Sequence, residues 1–152
     1  MVTFVKAETG LSRRDEKKCR SIFRSVMRIR HQFYALASQV AGEFDLRGSE
    51  MAMIDTLGIH GPLSMNELAE ACFFSPPNAT YTVSALEKKK LVKRERSRES
   101  HRVVNVYLTR AGERIFRKSY PAMVNEVNEL IDSRLTKSEA ATLSRLLQKL
   151  AE

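Results

Sequence analysis

A mainly α-helical fold with one small β-hairpin, α+β in class, is what this sequence predicts, on three observations. Ile22, Val26, Ile29, Phe33, Leu36 and Val40 step by 4, 3, 4, 3 and 4 residues, which traces one apolar stripe along a long helix. Two shorter helical patterns then meet at Ser75-Pro76-Pro77. After Lys90 the period falls to two: Val104, Val106 and Leu108 alternate with Asn105 and Tyr107.

The first helix is predicted over residues 12–45, with Ser12 as its cap and Asp15 three residues on. Gly48 interrupts. Ser49 opens a second helix carrying Met51, Ile54 and Leu57, which ends at Gly58 before a turn at His60-Gly61-Pro62. Leu63 is a short extended link. Ser64 and Glu67 have capping-box spacing and open a third helix with Leu68, Ala69 and Cys72 inward. Ser75 suits an N-cap and Pro76 the first helical position, where a missing N–H costs nothing. The fourth helix runs from 76 to about 90, anchored by Val83 and Leu86. Strands are predicted at 91–97 and 103–109, around a charged tip of Arg98, Glu99, Ser100, His101 and Arg102. Thr109 caps a fifth helix with Ile115, Phe116, Met123, Val127, Leu130 and Ile131 apolar, kinked or broken at Pro121. Thr136 and Glu139 form another capping box, before a last helix with Leu143, Leu146, Leu147 and Leu150.

The 152 residues suit one compact domain, and 43% hydrophobic with 29% charged residues excludes a disordered tail. No apolar run approaches the ~18 residues of a membrane span. The start, MVTFVKAETG, holds no apolar stretch of signal-peptide length, so a cytoplasmic location with both Cys reduced is the reading. The net charge is +8. Lys88, Lys89, Lys90, Lys93, Arg94, Arg96, Arg98 and Arg102 face only Glu95 and Glu99, so residues 88–102 hold +6 of it. So local a concentration points to a phosphate-facing patch and to nucleic acid as partner.

Helix, tight turn, helix, then a hairpin with a basic tip is the order of a winged helix-turn-helix. The helix after Ser75 would lie in the major groove of double-stranded DNA. Asn78, Thr80, Tyr81 and Ser84 would reach base edges there, with Ser75 and Pro77 beside them. Its first turn would attract phosphate through free N–H groups. Arg98, His101 and Arg102 at the tip would reach an adjacent minor groove or its phosphates. Ser64, Asn66 and Lys88 would touch the backbone.

From Leu57 to Gly112 the chain resembles the MarR family of bacterial transcription regulators. The resemblance rests on Leu63-x-x-x-x-Leu68-Ala69, on Leu86-Glu87-Lys88-Lys89-Lys90-Leu91-Val92-Lys93-Arg94, on Arg102, and on Leu108-Thr109-x-x-Gly112. It implies a homodimer formed by the terminal helices, with two winged helices reading a palindromic operator. It also implies a repressor released by a small-molecule effector. The matching division is a single domain, 1–152, with a helical dimerisation region at 12–47 and 113–152 and a DNA-binding lobe at 48–112. Three positions depart from the family pattern. Lys90 stands where Gly is usual, so either it is left-handed or the turn differs. Ser100 stands where an Asp braces the wing arginine, and Tyr81 where Arg is common.

The residues argue for the dimer independently. The apolar faces at 22–40, 115–131 and 143–150 exceed what the small lobe can cover, so a second copy would bury them. Cys19, among Lys17, Lys18 and Arg20, has two readings: a structural thiol at the dimer face, which is favoured, or a redox sensor. Cys72 reads as core. His31, His60 and His101 lack partners at metal-ligand spacing, so no metal or other cofactor is predicted; His60 closes a helix end. Met51 and Met53 are candidates to line an effector pocket. No phosphate loop, H-E-x-x-H or G-x-S-x-G occurs, so no enzyme activity is predicted. The competing function is a nonspecific architectural or RNA-binding protein using the same basic patch.

Overall fold

The structure is a computed structural model, which describes residues 10–96 and 104–152. Six helices and a three-stranded sheet occur among those residues: α1 (Arg13–Gly42), α2 (Gly48–His60), β1 (Leu63–Ser64), α3 (Met65–Ala71), α4 (Pro76–Lys88), β2 (Val92–Arg96), β3 (Val104–Leu108), α5 (Arg110–Asp132) and α6 (Lys137–Ala151). The chain falls into two compact units, residues 1–34 and 35–152.

Most boundaries follow from local chemistry. Ser12 Oγ accepts from the Asp15 amide at 3.1 Å and starts α1. The Ser64–Glu67 and Thr136–Glu139 capping boxes both close, which draws Glu67 and Glu139 below the usual carboxylate range. The Thr109 hydroxyl accepts from the Gly112 amide at 3.2 Å and starts α5.

Three boundaries differ from the sequence reading. Arg47, not Ser49, is the N-cap of α2, because the Glu50 carboxylate takes the Arg47 amide at 2.8 Å. Gly58 does not end α2. The helix runs on to His60 and stops at Gly61, whose φ of 79° is one that glycine adopts without strain. Pro121 does not break α5, which is continuous through it.

Within residues 35–152 the sheet has the order β1-β3-β2, both pairs antiparallel. Val106 of the central strand lies opposite Leu63 on one side and Arg94 on the other. Leu63 is thus part of a third strand rather than a bare link. The core gathers Met51, Met53, Ile54 and Leu57 of α2, Leu68 of α3, Ala79, Val83 and Leu86 of α4, and Val92 and Val106 of the sheet. This fixes the angle at which α4 presents its other face to solvent. By contrast, α6 buries none of its residues.

Candidate nucleic-acid interface

The α4 helix starts with two prolines, and this shapes its outer end. Ser75 is the N-cap but closes no side-chain cap bond. Pro76 and Pro77 carry no N–H, and the Ala79 amide already bonds the Ser75 carbonyl at 2.9 Å. Of the first-turn donors only the Asn78 amide remains. The predicted phosphate attraction by a set of free N–H groups is therefore corrected, since the residues that start the helix remove the donors.

Ser75, Pro77, Asn78, Thr80 and Tyr81 are each exposed. Thr80 Oγ1 donates to the Pro76 carbonyl at 3.0 Å, so its methyl and a hydroxyl lone pair are what it can offer a partner. Tyr81 is 62% exposed, and its hydroxyl accepts from Arg47 at 3.2 Å. Ser84 departs from the expected exposure. It is half-buried, because Arg94 of β2 reaches across and donates to its hydroxyl at 3.1 Å.

That arginine is a site residue that the sequence reading held only as a charge and as the last place in a family motif. Its guanidinium also pairs with Glu87 at 3.1 Å and reaches the Thr80 carbonyl at 3.4 Å. One side chain thus ties the wing strand to three successive turns of α4. A signal existed: Arg94 stands two after buried Val92, on the inner side of the strand, where a charge needs a partner. Arg47 was missed as well, and nothing in its sequence neighbourhood marks it.

These contacts also revise the local charge. Lys89 pairs at 3.0 Å with Glu50, a residue only 3% exposed, and donates to the Asp45 carbonyl at 2.6 Å. Lys93 pairs with Glu95 at 2.6 Å. Of the basic residues at 88–96, Lys88, Lys90 and Arg96 are in no ion pair among the described residues. Lys88 lies with Arg47, Tyr81 and Ser84 on a shallow cavity of about 320 Å³ beside α4. Asn66 is exposed in the first turn of α3, whereas Ser64 is half-buried by its capping role. Arg98, His101 and Arg102, with Glu99 and Ser100, lie outside the described residues.

The turn after α4 has the left-handed form: Lys90 has φ 59°. It is pinned from β3's end, where Thr109 Oγ1 donates to the Lys90 carbonyl at 2.8 Å. Gly112 is needed here for space, since a Cβ on it would collide with the Leu91 carbonyl.

The remaining candidates resolve simply. Met51 and Met53 are fully buried in the core. A cavity of about 360 Å³ lies between α2, β3 and α5, where Gly58, Tyr107, Glu113, Phe116 and Arg117 meet. Cys19 is exposed rather than buried in the single chain. Cys72 is half-buried, 3.4 Å from Thr56 Oγ1, and burial pushes its thiol up. His60 is the last residue of α2, and His31 is exposed.

Residues 44–103 match the family model described as MarR family. The chain is 26% identical over 132 residues to YwaE, an uncharacterized HTH-type transcriptional regulator of Bacillus subtilis, covering 87% of this chain and 75% of that one. Two solved structures share the fold. The DNA complex of Staphylococcus aureus MepR is 25% identical with a TM-score of 0.72, over 86% of this chain and 94% of that one. Bordetella bronchiseptica BpsR, whose DNA binding is regulated by 6-hydroxynicotinic acid, is 17% identical with a TM-score of 0.76, over 87% and 99%. No helix among the described residues is long and apolar enough to cross a membrane.

Proposed function

We propose that this chain is a MarR-family DNA-binding transcription regulator, as the family model over residues 44–103 and the HTH-type relative support, and that it is a homodimeric, sequence-specific repressor of a palindromic operator. The observation that carries this reading is the α4 surface. Asn78, Thr80 and Tyr81 stand exposed on a helix whose far side is locked into the core by Val83 and Leu86. Their polar groups and the Thr80 methyl suit base edges, while a purely electrostatic binder would present Lys and Arg there. Lys88, Lys90 and Arg96 supply phosphate contacts around them, and Arg98, His101 and Arg102 of the wing complete the grip in the adjacent minor groove.

The dimer is supported by apolar faces left open in the single chain. Ile22 and Phe23 of α1, Val124 of α5, and Leu146 and Leu150 of α6 are all exposed. A second copy would cover them, making 12–47 and 113–152 the dimerisation region and 48–112 the reading lobe. Cys19, exposed in one chain, would then sit near that interface as a structural thiol. Release by a small-molecule effector is the natural control, and the cavity beside Arg117 and Glu113 is the place we assign to it. MepR and BpsR, similar in fold, lend the DNA and effector parts of this reading their precedent.

The test is a gel-shift comparison of a palindromic operator with a scrambled duplex. Asn78→Ala should weaken the operator by about 1–3 kcal/mol, or roughly 5- to 150-fold, and leave the scrambled duplex unchanged. Equal losses on both would replace specific reading with the nonspecific alternative.

A further inference from the structure

The basic charge of this chain has a second centre that the wing-focused count hides. Between Arg13 and Arg30 stand eight basic residues against Asp15 and Glu16, again a local net of +6. Arg13, Lys17, Arg20, Arg24, Arg28 and His31 step by 4, 3, 4, 4 and 3 residues, so they form one stripe along α1. All six are exposed. The apolar stripe runs along the other side: Ile22 and Val26 each stand two residues, about 200° of helix rotation, from their nearest stripe arginines.

Little within the chain offsets this charge. Asp15 is engaged by Lys18 at 2.9 Å and by the Ser12 hydroxyl at 2.7 Å. Lys17, Arg20, Arg24 and Arg28 are in no ion pair among the described residues. Like charges four apart repel one another, so the stripe weakens the helix that carries it. A face meant only for solubility mixes both signs. Ser21 and Ser25 add hydroxyls between the cations, and together these groups line a shallow recess.

The chemistry selects the partner. Arg outnumbers Lys on the stripe, and the guanidinium fork fits phosphate oxygens two at a time. Positions four apart rise by about 6 Å, so the charges repeat in a line, which suits a chain of phosphates better than one small anion. A lipid surface fits poorly. A helix lying on a bilayer sinks its apolar face between the headgroups, and in the proposed dimer that face, with Ile22 and Phe23, is covered by the second copy. We propose that the Arg13–His31 stripe of α1 is a second nucleic-acid site, which grips the phosphate backbone of a duplex without reading its sequence.

This site is independent of α4 and would stand even if α4 read nothing. The full chain and an R20Q/R24Q/R28Q variant are titrated with a duplex lacking any palindrome, between 50 and 200 mM salt. The log–log salt slope of the variant should be shallower by about three units, since each phosphate contact contributes about 0.9. An R20K/R24K/R28K variant, which keeps the charge, should keep the slope. All three side chains are exposed, so circular dichroism should not change. An unchanged slope in the Gln variant overturns the proposal. So does retention of the parent, but not the variant, on phosphatidylserine vesicles with duplex binding unaltered, which would make the stripe a lipid site. Asn78→Ala tests the α4 reading separately, because it changes the operator-to-scrambled ratio and not this slope.

Discussion

From α2 to β3 most apolar side chains bury one another, Phe73 and Ile59 being exceptions, whereas α6 and the first seven turns of α1 leave most of theirs in solvent. The contrast does not come from composition. Leu86 of α4 is 0% exposed and Leu150 of α6 is 68% exposed, though both lie on helices with Lys and Glu on the far side. It comes from connectivity. Four short elements with tight turns fold α2, α3 and α4 against a sheet, so each apolar face meets another within the same chain. The terminal helices have long apolar stripes, and α6 buries none of its residues against the rest of residues 35–152. A closed core and an open face in one chain divide the work: the first holds the reading helix rigid, the second calls for a partner.

Truncation in each region gives the largest effect and the sharpest contrast. Leu86→Ala should cost about 2–5 kcal/mol of unfolding free energy, because it opens a cavity in the core that also holds Ile54, Leu68 and Val83. Leu147→Ala, on the open face of α6, should cost the single chain no more than about 0.5 kcal/mol. Its effect should fall on self-association, seen as a larger dissociation constant in sedimentation. Denaturant midpoints at a dilution where the chain is monomeric check this. Equal losses there would break the contrast.

The acids of the two regions should titrate in opposite directions, which is a smaller effect. The Asp55 carboxyl on α2 has a buried oxygen with no partner, and burial pushes it up to about 6. Glu139, in the capping box of α6, is held below its usual range by the Thr136 amide and hydroxyl. An acid raised on folding favours the folded state most below its unfolded value, near 4, and loses that contribution as pH rises to about 6. Asp55→Asn should therefore gain stability relative to the parent as pH climbs from 4 to 6. The gain should be on the order of 1 kcal/mol, after allowing for the part of the carboxyl that water still screens. Urea midpoints at pH 4.5 and pH 7 read it, and an advantage for Asn that shrank with rising pH would show that Asp55 is stabilised as an anion.

The sequence was legible wherever cause and effect lie within one turn. The Ser64 and Thr136 capping boxes, the Ser75-Pro76 helix start and the stripes on α1 and α6 are all local. The capping of α2 by Glu50 through the Arg47 amide shows the limit, since Arg47 is no usual cap and only the reaching carboxylate makes it one. What sequence could not supply are contacts that span elements: Arg94 to Glu87 and Ser84, Lys89 to Glu50, and Arg47 to Tyr81. The first two turn residues counted as free charge into ties, so the basic patch is weaker than its composition suggests. β1 was read as a link because two residues are too few to display a period. The family resemblance supplied Thr109 and Gly112 without a reason. The reason is spatial: both pack on the backbone of Lys90 and Leu91, at the turn between α4 and β2.

That turn carries the smallest prediction, at the seam between the reading helix and the wing. Lys90 holds φ 59°, where a Cβ costs about 1–2 kcal/mol, and glycine would relieve that strain. Glycine in turn gives the unfolded chain more freedom, which offsets about 0.5–1 kcal/mol of the gain. The bonds of the turn are all backbone bonds at this residue: its amide to the Glu87 carbonyl at 2.8 Å, and its carbonyl to Thr109 Oγ1 at 2.8 Å. They survive the substitution. Lys90→Gly should therefore raise stability by about 0.5 kcal/mol, a shift of roughly 1–2 °C in the thermal midpoint for a chain of this length. If Lys90 also touches a phosphate, the salt slope on DNA should fall by about one unit at the same time. A raised midpoint with a shallower slope would mean that a residue other than glycine is kept here for its charge, at the expense of the turn. A raised midpoint with an unchanged slope would leave the strain without a functional return, and a lowered midpoint would refute the strain argument itself.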